Sequence, residues 1–244
     1  MKSNNTLLSV CDPMGKAIDD FQKTGKARRL LVKSSMFDDD EIPVKYLFRT
    51  LNEMPQLERK ALELSCGRIL DVGAGAGCHS LELQLMQKDV LAIDISPLSC
   101  DTMERRGVKN VQCVNLFDRT FTGQFDTILM LMNGTGIVGK LKNMPDFLLR
   151  ISELLAPGGQ ILIDSSDLKY LYENEDGSYD IDPAGPYYGE VDYQMVYGKV
   201  KGEPFDWLYV DFATLRLLAE NNSFQCELIA EGPHYDYLAR LTRK

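Results

Sequence analysis

Residues 69–83 read ILDVGAGAGCHSLEL. An apolar run carries Asp71 near its end and passes into a loop with Gly73, Gly75 and Gly77. A stretch follows in which Cys78, Leu81 and Leu85 recur at helical spacing. This is the pattern of a strand, a tight glycine turn and a helix, and glycines there let a ligand approach the backbone and the helix amides. The dinucleotide fingerprint G-x-G-x-x-G would need glycine at position 78, where Cys78 stands, so a nicotinamide cofactor is disfavoured. The second signal is the apolar run 90–95, which carries Asp94 followed by Ile95. In a doubly wound sheet this sets a carboxylate at the crevice beyond the carboxyl ends of the strands, where a ribose diol is its natural partner.

Outward from this point, short apolar runs at 68–72, 90–94, 111–114, 125–131 and 160–164 alternate with amphipathic stretches. That rhythm predicts a parallel sheet with helices on both faces. Ser96 and Pro97 can open a helix that Gly107 stops, and Phe147, Leu148, Ile151, Leu154 and Leu155 mark one face of another that ends before Pro157-Gly158-Gly159. Ahead of the core, residues 1–62 read as a helical cap. The acidic run Asp38 to Glu41 lies where a helix dipole favours anions, and Val44, Leu47, Phe48 and Leu51 mark one helical face after Pro43. Residues 63–244 form the core, interrupted at about 169–206. Eight of the eleven tyrosines fall between Tyr170 and Tyr209, and Val191, Tyr193, Met195 and Tyr197 alternate with more polar neighbours, as do Phe205, Trp207 and Tyr209. This predicts an antiparallel hairpin inserted after the fifth strand, serving as a substrate lid or as packing.

These residues together resemble the class I S-adenosylmethionine-dependent methyltransferases. The resemblance runs from about Arg68 to the carboxyl terminus. It includes LLAPGGQILIDSS (154–166), similar to the family's helix, PGG turn and strand, and CELIAEG with YLARL (226–241), similar to its final β-hairpin. It implies an α/β fold, a Rossmann-like, mostly parallel seven-stranded sheet, with S-adenosylmethionine as cofactor. Gly73, Gly75 and Gly77 would pass close to the methionine half, Asp71 near its amino group, and Asp94 with Ile95 at the ribose. The family's acid after the third strand is replaced by Asn115 and Leu116, with Asp118 following, so adenine falls either to Asn115 with Leu116 or to Asp118. Asn133, where the fourth strand ends, is a cofactor or substrate contact or a turn residue, and its neighbour Gly134 departs from the N/D-P-P-Y pattern of base-methylating members. Arg49 reads in one of two ways, as reaching the cofactor carboxylate, since a guanidinium pairs well with one, or as a plain surface arginine.

Methyl transfer from a sulfonium depends mainly on alignment, so no catalytic triad is required. A hydroxyl or carbon acceptor would benefit from a general base, for which Asp164, Asp167, Glu190 and His234 are unranked candidates; Asp167 and His234 are carried forward without a catalytic assignment, and Asp167 reads equally as a helix cap or turn residue. His79 reads as a packing or surface residue. The acceptor is expected to be a small molecule. Three other readings remain: a transferase of the same fold using the cofactor differently, as in polyamine synthesis; a non-catalytic S-adenosylmethionine-binding or assembly module; and a protein acceptor drawn to an acidic surface.

Composition sets the outer bounds. A chain of 244 residues with 44% hydrophobic and 26% charged residues is one large domain or one with an appendage, with enough apolar sequence for a sizeable core. Its net charge of −9 repels phosphate backbones, so nucleic acid is not an expected partner. No apolar run approaches the roughly 20 residues of a membrane span, and Met1 to Val10 lacks a secretory signal, so a cytoplasmic location is expected. The six cysteines contain no C-x-x-C pair and read as reduced thiols; two histidines far apart predict no metal site.

Overall fold

The strand β3 (Arg68–Val72) runs through the middle of the molecule, with Ile69 and Leu70 fully buried. Its neighbours explain why. A computed structural model describes residues 6–244, so the first five residues of the amino-terminal segment lie outside it. In chain order the elements are α1 (Pro13–Thr24), β1 (Leu30–Lys33), β2 (Asp40–Ile42), α2 (Gln56–Leu64), β3, α3 (Cys78–Leu85), β4 (Asp89–Asp94), α4 (Pro97–Arg106), β5 (Val111–Cys113), β6 (Phe125–Met130), α5 (Met144–Leu154), β7 (Leu155–Ser166), β8 (Glu190–Tyr197), β9 (Val200–Lys201), β10 (Phe205–Leu208), α6 (Phe212–Asn221), β11 (Phe224–Glu231) and β12 (Asp236–Arg243).

Seven strands form one sheet in the order β11-β12-β7-β6-β3-β4-β5. The five strands from β7 to β5 are parallel, while β12 runs antiparallel between β7 and β11. From β3 the chain moves outward to β4 and β5 and then returns to β6 on the other side of β3. That reversal opens a crevice at the carboxyl ends of β3, β4 and β6, where open α/β sheets bind ligands. Local signals set the helix boundaries. Ser96 accepts the Ser99 N–H at 2.9 Å, Pro97 occupies the first turn of α4, and Gly107 leaves it at φ +94°. Helix α5 buries Phe147, Leu148, Ile151 and Leu154 against the sheet, as their spacing predicts.

Helix α3 departs from expectation. Its buried face is Cys78, His79, Ser80 and Leu83, whereas Leu85 is 75% exposed, because Ser80 turns inward to the Asp71 carboxylate.

The amino-terminal segment also differs from a purely helical cap. The acidic run leads into strand β2 instead of a helix, and residues 44–53 form two 3₁₀ turns, Val44–Phe48 and Leu51–Glu53. A spacing of three suits a 3₁₀ turn as well as one face of an α-helix. The interrupting segment likewise exceeds a hairpin. Strands β8, β9 and β10 join β1 and β2 in a second, antiparallel sheet of five strands, with Leu30 opposite Tyr197 and Tyr193 opposite Phe205. Helix α1 packs on this sheet through Ala17, and Ile18 and Leu47 from the same layer meet Ala76 of the glycine loop and Met132 after β6.

Gly77, the last glycine of the loop, sits at φ +79°, and a methyl group there would lie 2.9 Å from Met103 Cγ and 3.0 Å from Val108 Cγ2. It lets α4 approach the start of α3. Gly77→Ala should destabilise the fold by about 1–3 kcal/mol in urea unfolding; an unchanged midpoint would show that the loop relaxes freely.

Candidate functional site

Asp94 ends β4 with both carboxylate oxygens engaged. Oδ2 accepts the Gly75 N–H at 2.8 Å, and Oδ1 accepts the Ser96 N–H at 2.8 Å. Burial outweighs these donors and pushes its carboxyl up to about 6. The glycine loop is therefore fastened to the end of the neighbouring strand. A methyl group added at Gly73 would meet nothing within 4 Å, and one at Gly75 only the Gly73 carbonyl at 4.0 Å, so the outer surface of the loop is open. Beneath the loop, buried Asp71 accepts a hydrogen bond from the Ser80 hydroxyl at 2.6 Å, and burial raises its carboxyl above the usual range.

On the far side of Asp94, the Val114 N–H donates to the Asp94 carbonyl at 2.9 Å, which carries Asn115 and buried Leu116 to the crevice. Asn115 Oδ1 accepts the Phe117 N–H at 2.9 Å. The Asp118 carboxylate is folded onto its own turn, accepting the Thr120 N–H and hydroxyl, both at 2.8 Å. Ile95 is 38% exposed, and its carbonyl accepts the Leu7 N–H at 2.9 Å. The chain preceding α1 thus lies across this end of the crevice.

The turn after β6 is strained. Met132 and Asn133 are consecutive non-glycine residues in the left-handed region, with φ of +67° and +59°. Such backbone persists only when its surroundings hold it. Asp164, on the adjacent β7, does so: its two oxygens accept the Met132 N–H at 3.0 Å and the Gly134 N–H at 2.9 Å, and Ser166 donates to Asn133 Oδ1 at 2.9 Å. Burial pushes the Asp164 carboxyl up to about 7 against the pull of these donors.

Arg49 is buried in the segment ahead of α2. Its guanidinium pairs with Glu58, donates to the Tyr46 carbonyl and lies 4.0 Å from the Tyr46 ring centroid. Glu58 also meets His79 Nε2 at 2.8 Å, so Arg49, Glu58 and His79 form one buried cluster. These partners hold Glu58 below its usual range despite burial. A ligand carboxylate would share Arg49 with Glu58.

The remaining candidates are spent on structure or stand apart. Asp167 Oδ1 accepts the Lys169 N–H and the Tyr188 hydroxyl, both at 2.8 Å, and Glu190 Oε1 accepts the Leu141 N–H at 2.9 Å. His234 is exposed in the turn between β11 and β12. That turn lies at the crevice end of the sheet, since Asp236 pairs with Ser166 at the end of β7. The sequence alone assigns no role to Glu58, Ser166 or Met132; only the dipeptide Asn133-Gly134 signals a turn.

The comparisons with known proteins bear on this geometry. A crystal structure of an S-adenosylmethionine-dependent methyltransferase from Bacteroides fragilis, in complex with S-adenosyl-L-homocysteine, is 58% identical over 100% of this chain and 99% of that one, with a TM-score of 0.94. The chain belongs to the class I S-adenosylmethionine-dependent methyltransferases. A methyltransferase-domain family model matches residues 70–161. The protein-L-isoaspartate O-methyltransferase of Aromatoleum aromaticum is 31% identical over 53% of this chain. The chain spans 39% to 59% of the length of the curated relatives it matches. The CcbJ methyltransferase of Streptomyces caelestis shares the fold at 13% identity, covering 95% of this chain and 98% of that one with a TM-score of 0.62. S-Adenosylmethionine is accordingly the cofactor of this methyltransferase, and the open glycine loop beside Asp94 fits it. No helix among the described residues is long and apolar enough to cross a membrane, and no cluster of metal-ligating side chains exists among them.

The raised Asp164 carboxyl has a measurable sign. A carboxyl near 3.8 in the unfolded chain and about 7 in the folded one costs stability as pH rises through that window, and the cost is complete above it. Asp164→Asn lacks this dependence. The melting-temperature gap between wild type and Asp164→Asn should therefore shrink from pH 5 to pH 8; a gap that stays constant would mean the carboxylate is ionised throughout.

Proposed function

We propose that this methyltransferase transfers a methyl group to a small-molecule acceptor seated between the β6 exit turn and the aromatic face of the second sheet. The observation that carries this reading is the left-handed Met132–Asn133 pair. It is held by Asp164, joined through Met132 to the glycine loop at Ala76, and roofed by Trp207, which packs on Gly136. Gly73, Gly75 and the Asp94 carboxylate would hold the methionine and ribose parts of the cofactor, Asn115 and Leu116 its adenine, and Arg49, shared with Glu58, its carboxylate. Gly77 serves the packing of α4 instead. Asp71 acts one layer deeper, orienting α3 through Ser80. When bound, S-adenosylmethionine supplies a methyl group already activated on a sulfonium.

The chain's contribution is alignment and exclusion of water. Well-oriented reactants gain up to about 7–11 kcal/mol from positioning alone. General-base catalysis has little support, since Asp164, Asp167 and Glu190 each hold backbone amides. A small acceptor fits better than a protein surface because the second sheet covers the turn where Asn133 is presented.

A thermal shift tests the cofactor site. At about 100 times the dissociation constant, a ligand adds roughly 2.7 kcal/mol, or about 5–10 °C for a chain of this size. S-Adenosylmethionine and S-adenosylhomocysteine should each raise the wild-type midpoint by that amount and NAD should not. In Asp94→Ala, judged against its own unliganded midpoint, the rise should be lost. A shift with NAD alone would overturn the assignment.

A further inference from the structure

The acceptor wall has a chemistry of its own. By strand register, Asp40, Val32, Met195, Tyr193, Phe205 and Trp207 lie on one face of the second sheet, and Trp207 packing on Gly136 shows that this face looks toward the β6 exit. Helix α1 covers the end of the face around Leu30, Tyr197 and Met195. The remaining rings meet edge to face. Tyr193 and Tyr209 lie at 85°, Tyr193 and Phe205 at 62°, and Phe205 and Trp207 at 77°, with successive centroids 6.0 to 6.5 Å apart. The Tyr193 and Tyr209 hydroxyls bond to each other at 3.1 Å, which fixes the corner between them. In an edge-to-face row each ring sets its edge on its neighbour's face, and the ring faces left uncovered are where an ammonium group is held.

Charge points the same way. On the opposite face of the hairpin, Arg29 pairs with Glu41, and Lys33 pairs with Asp39. Asp40, between them in sequence, turns to the ring face and forms no ion pair among the described residues; among them its carboxylate accepts only the Glu41 N–H, at 2.7 Å. Burial raises the phenols of both Tyr193 and Tyr209; the Asp40 charge adds to this, at Tyr209 after the Tyr193 and Tyr170 phenols. An unneutralised carboxylate beside an aromatic corner is a site for a cation.

Resting on the methyltransferase reading, we infer that the acceptor is an amine, bound as a small cation at the Tyr193–Tyr209 corner on the side of Asp40, with Phe205 and Trp207 continuing the row of rings. The nitrogen gives up a proton to water, its lone pair forms the new C–N bond as the C–S bond breaks, and sulfur keeps the bonding pair. An amine needs no dedicated base once deprotonated, in keeping with a site whose carboxylates are committed to backbone amides. The methylated product is again a cation and is held by the same rings.

Trp207 is the one tryptophan of the chain, so its emission reports on this row of rings alone. Choline is the probe, and its control is the neutral alcohol in which carbon replaces the quaternary nitrogen. Choline should change Trp207 emission saturably, about 5-fold or more tighter than the neutral isostere, and Asp40→Asn should weaken choline by about 3-fold or more while leaving the isostere unaffected. Asp40 is exposed, so the variant should fold as wild type does. No saturable response to choline, equal binding of the isostere, or an Asp40→Asn variant that binds choline as wild type does would each overturn the inference. Each titration is run with and without S-adenosylhomocysteine. Cation-selective quenching in a protein that gives no thermal shift with S-adenosylhomocysteine would retain the cation site and overturn the transferase reading instead.

Discussion

A chain of hydrogen bonds through three residues ties the molecule together. Asp12 caps α1 by accepting the Gly15 N–H at 2.8 Å and also accepts the Ser96 hydroxyl. Ser96 caps α4 at Ser99 and donates its N–H to Asp94, which in turn holds Gly75. Two helix starts, the end of a central strand and the glycine loop therefore share one network. Asp12 is fully buried, and burial raises its carboxyl above the usual range. A polar network at this depth strengthens each of its bonds through the low local dielectric, and it penalises any member left without a partner. The geometry at the crevice thus depends on the segment ahead of β3 as much as on the sheet.

Asp94 and Asp164 illustrate a common device at two strand ends. Each is a carboxylate at or near the carboxyl end of a parallel strand, each accepts two backbone N–H groups, and each holds a turn that the local sequence alone would not keep. The first fastens the glycine loop, the second a left-handed pair of non-glycine residues. Side chains fixed in this way keep the crevice preformed, which suits a reaction governed by alignment.

The elements that could be read directly from the chain are those with local signatures. Strand β3 and its glycine loop, the Ser96-Pro97 start and Gly107 stop of α4, and the apolar stripe of α5 all follow from spacing and capping over a few residues. The second sheet has no such signature, because Leu30 pairs with Tyr197 and nothing near either residue announces the other. Residues 44–53 were ambiguous for a physical reason: apolar positions three apart satisfy a 3₁₀ turn and an α-helix alike. Around the crevice, Asp71, Gly73, Gly75 and Asp94 are legible as residues because strand ends and glycines identify themselves. The Arg49–Glu58–His79 cluster and the Asp164 clamp were not, since each joins segments distant in sequence and neither Met132 nor Glu58 belongs to a turn or ligand motif.

The pairing of β1 with β8 has a consequence for how the molecule assembles. The core strands β3 to β7 can associate within a contiguous stretch of chain, but the second sheet must bring residues 30–33 against residues 194–197. Contacts this far apart carry a large loop-closure entropy and form late. During synthesis the cofactor crevice would be built before its roof, and the strands β1 and β2 would wait with unpaired edges until β8 emerged. Lys33 and the acidic run 38–41 put charge on that waiting hairpin, which is how an edge avoids pairing with the wrong chain.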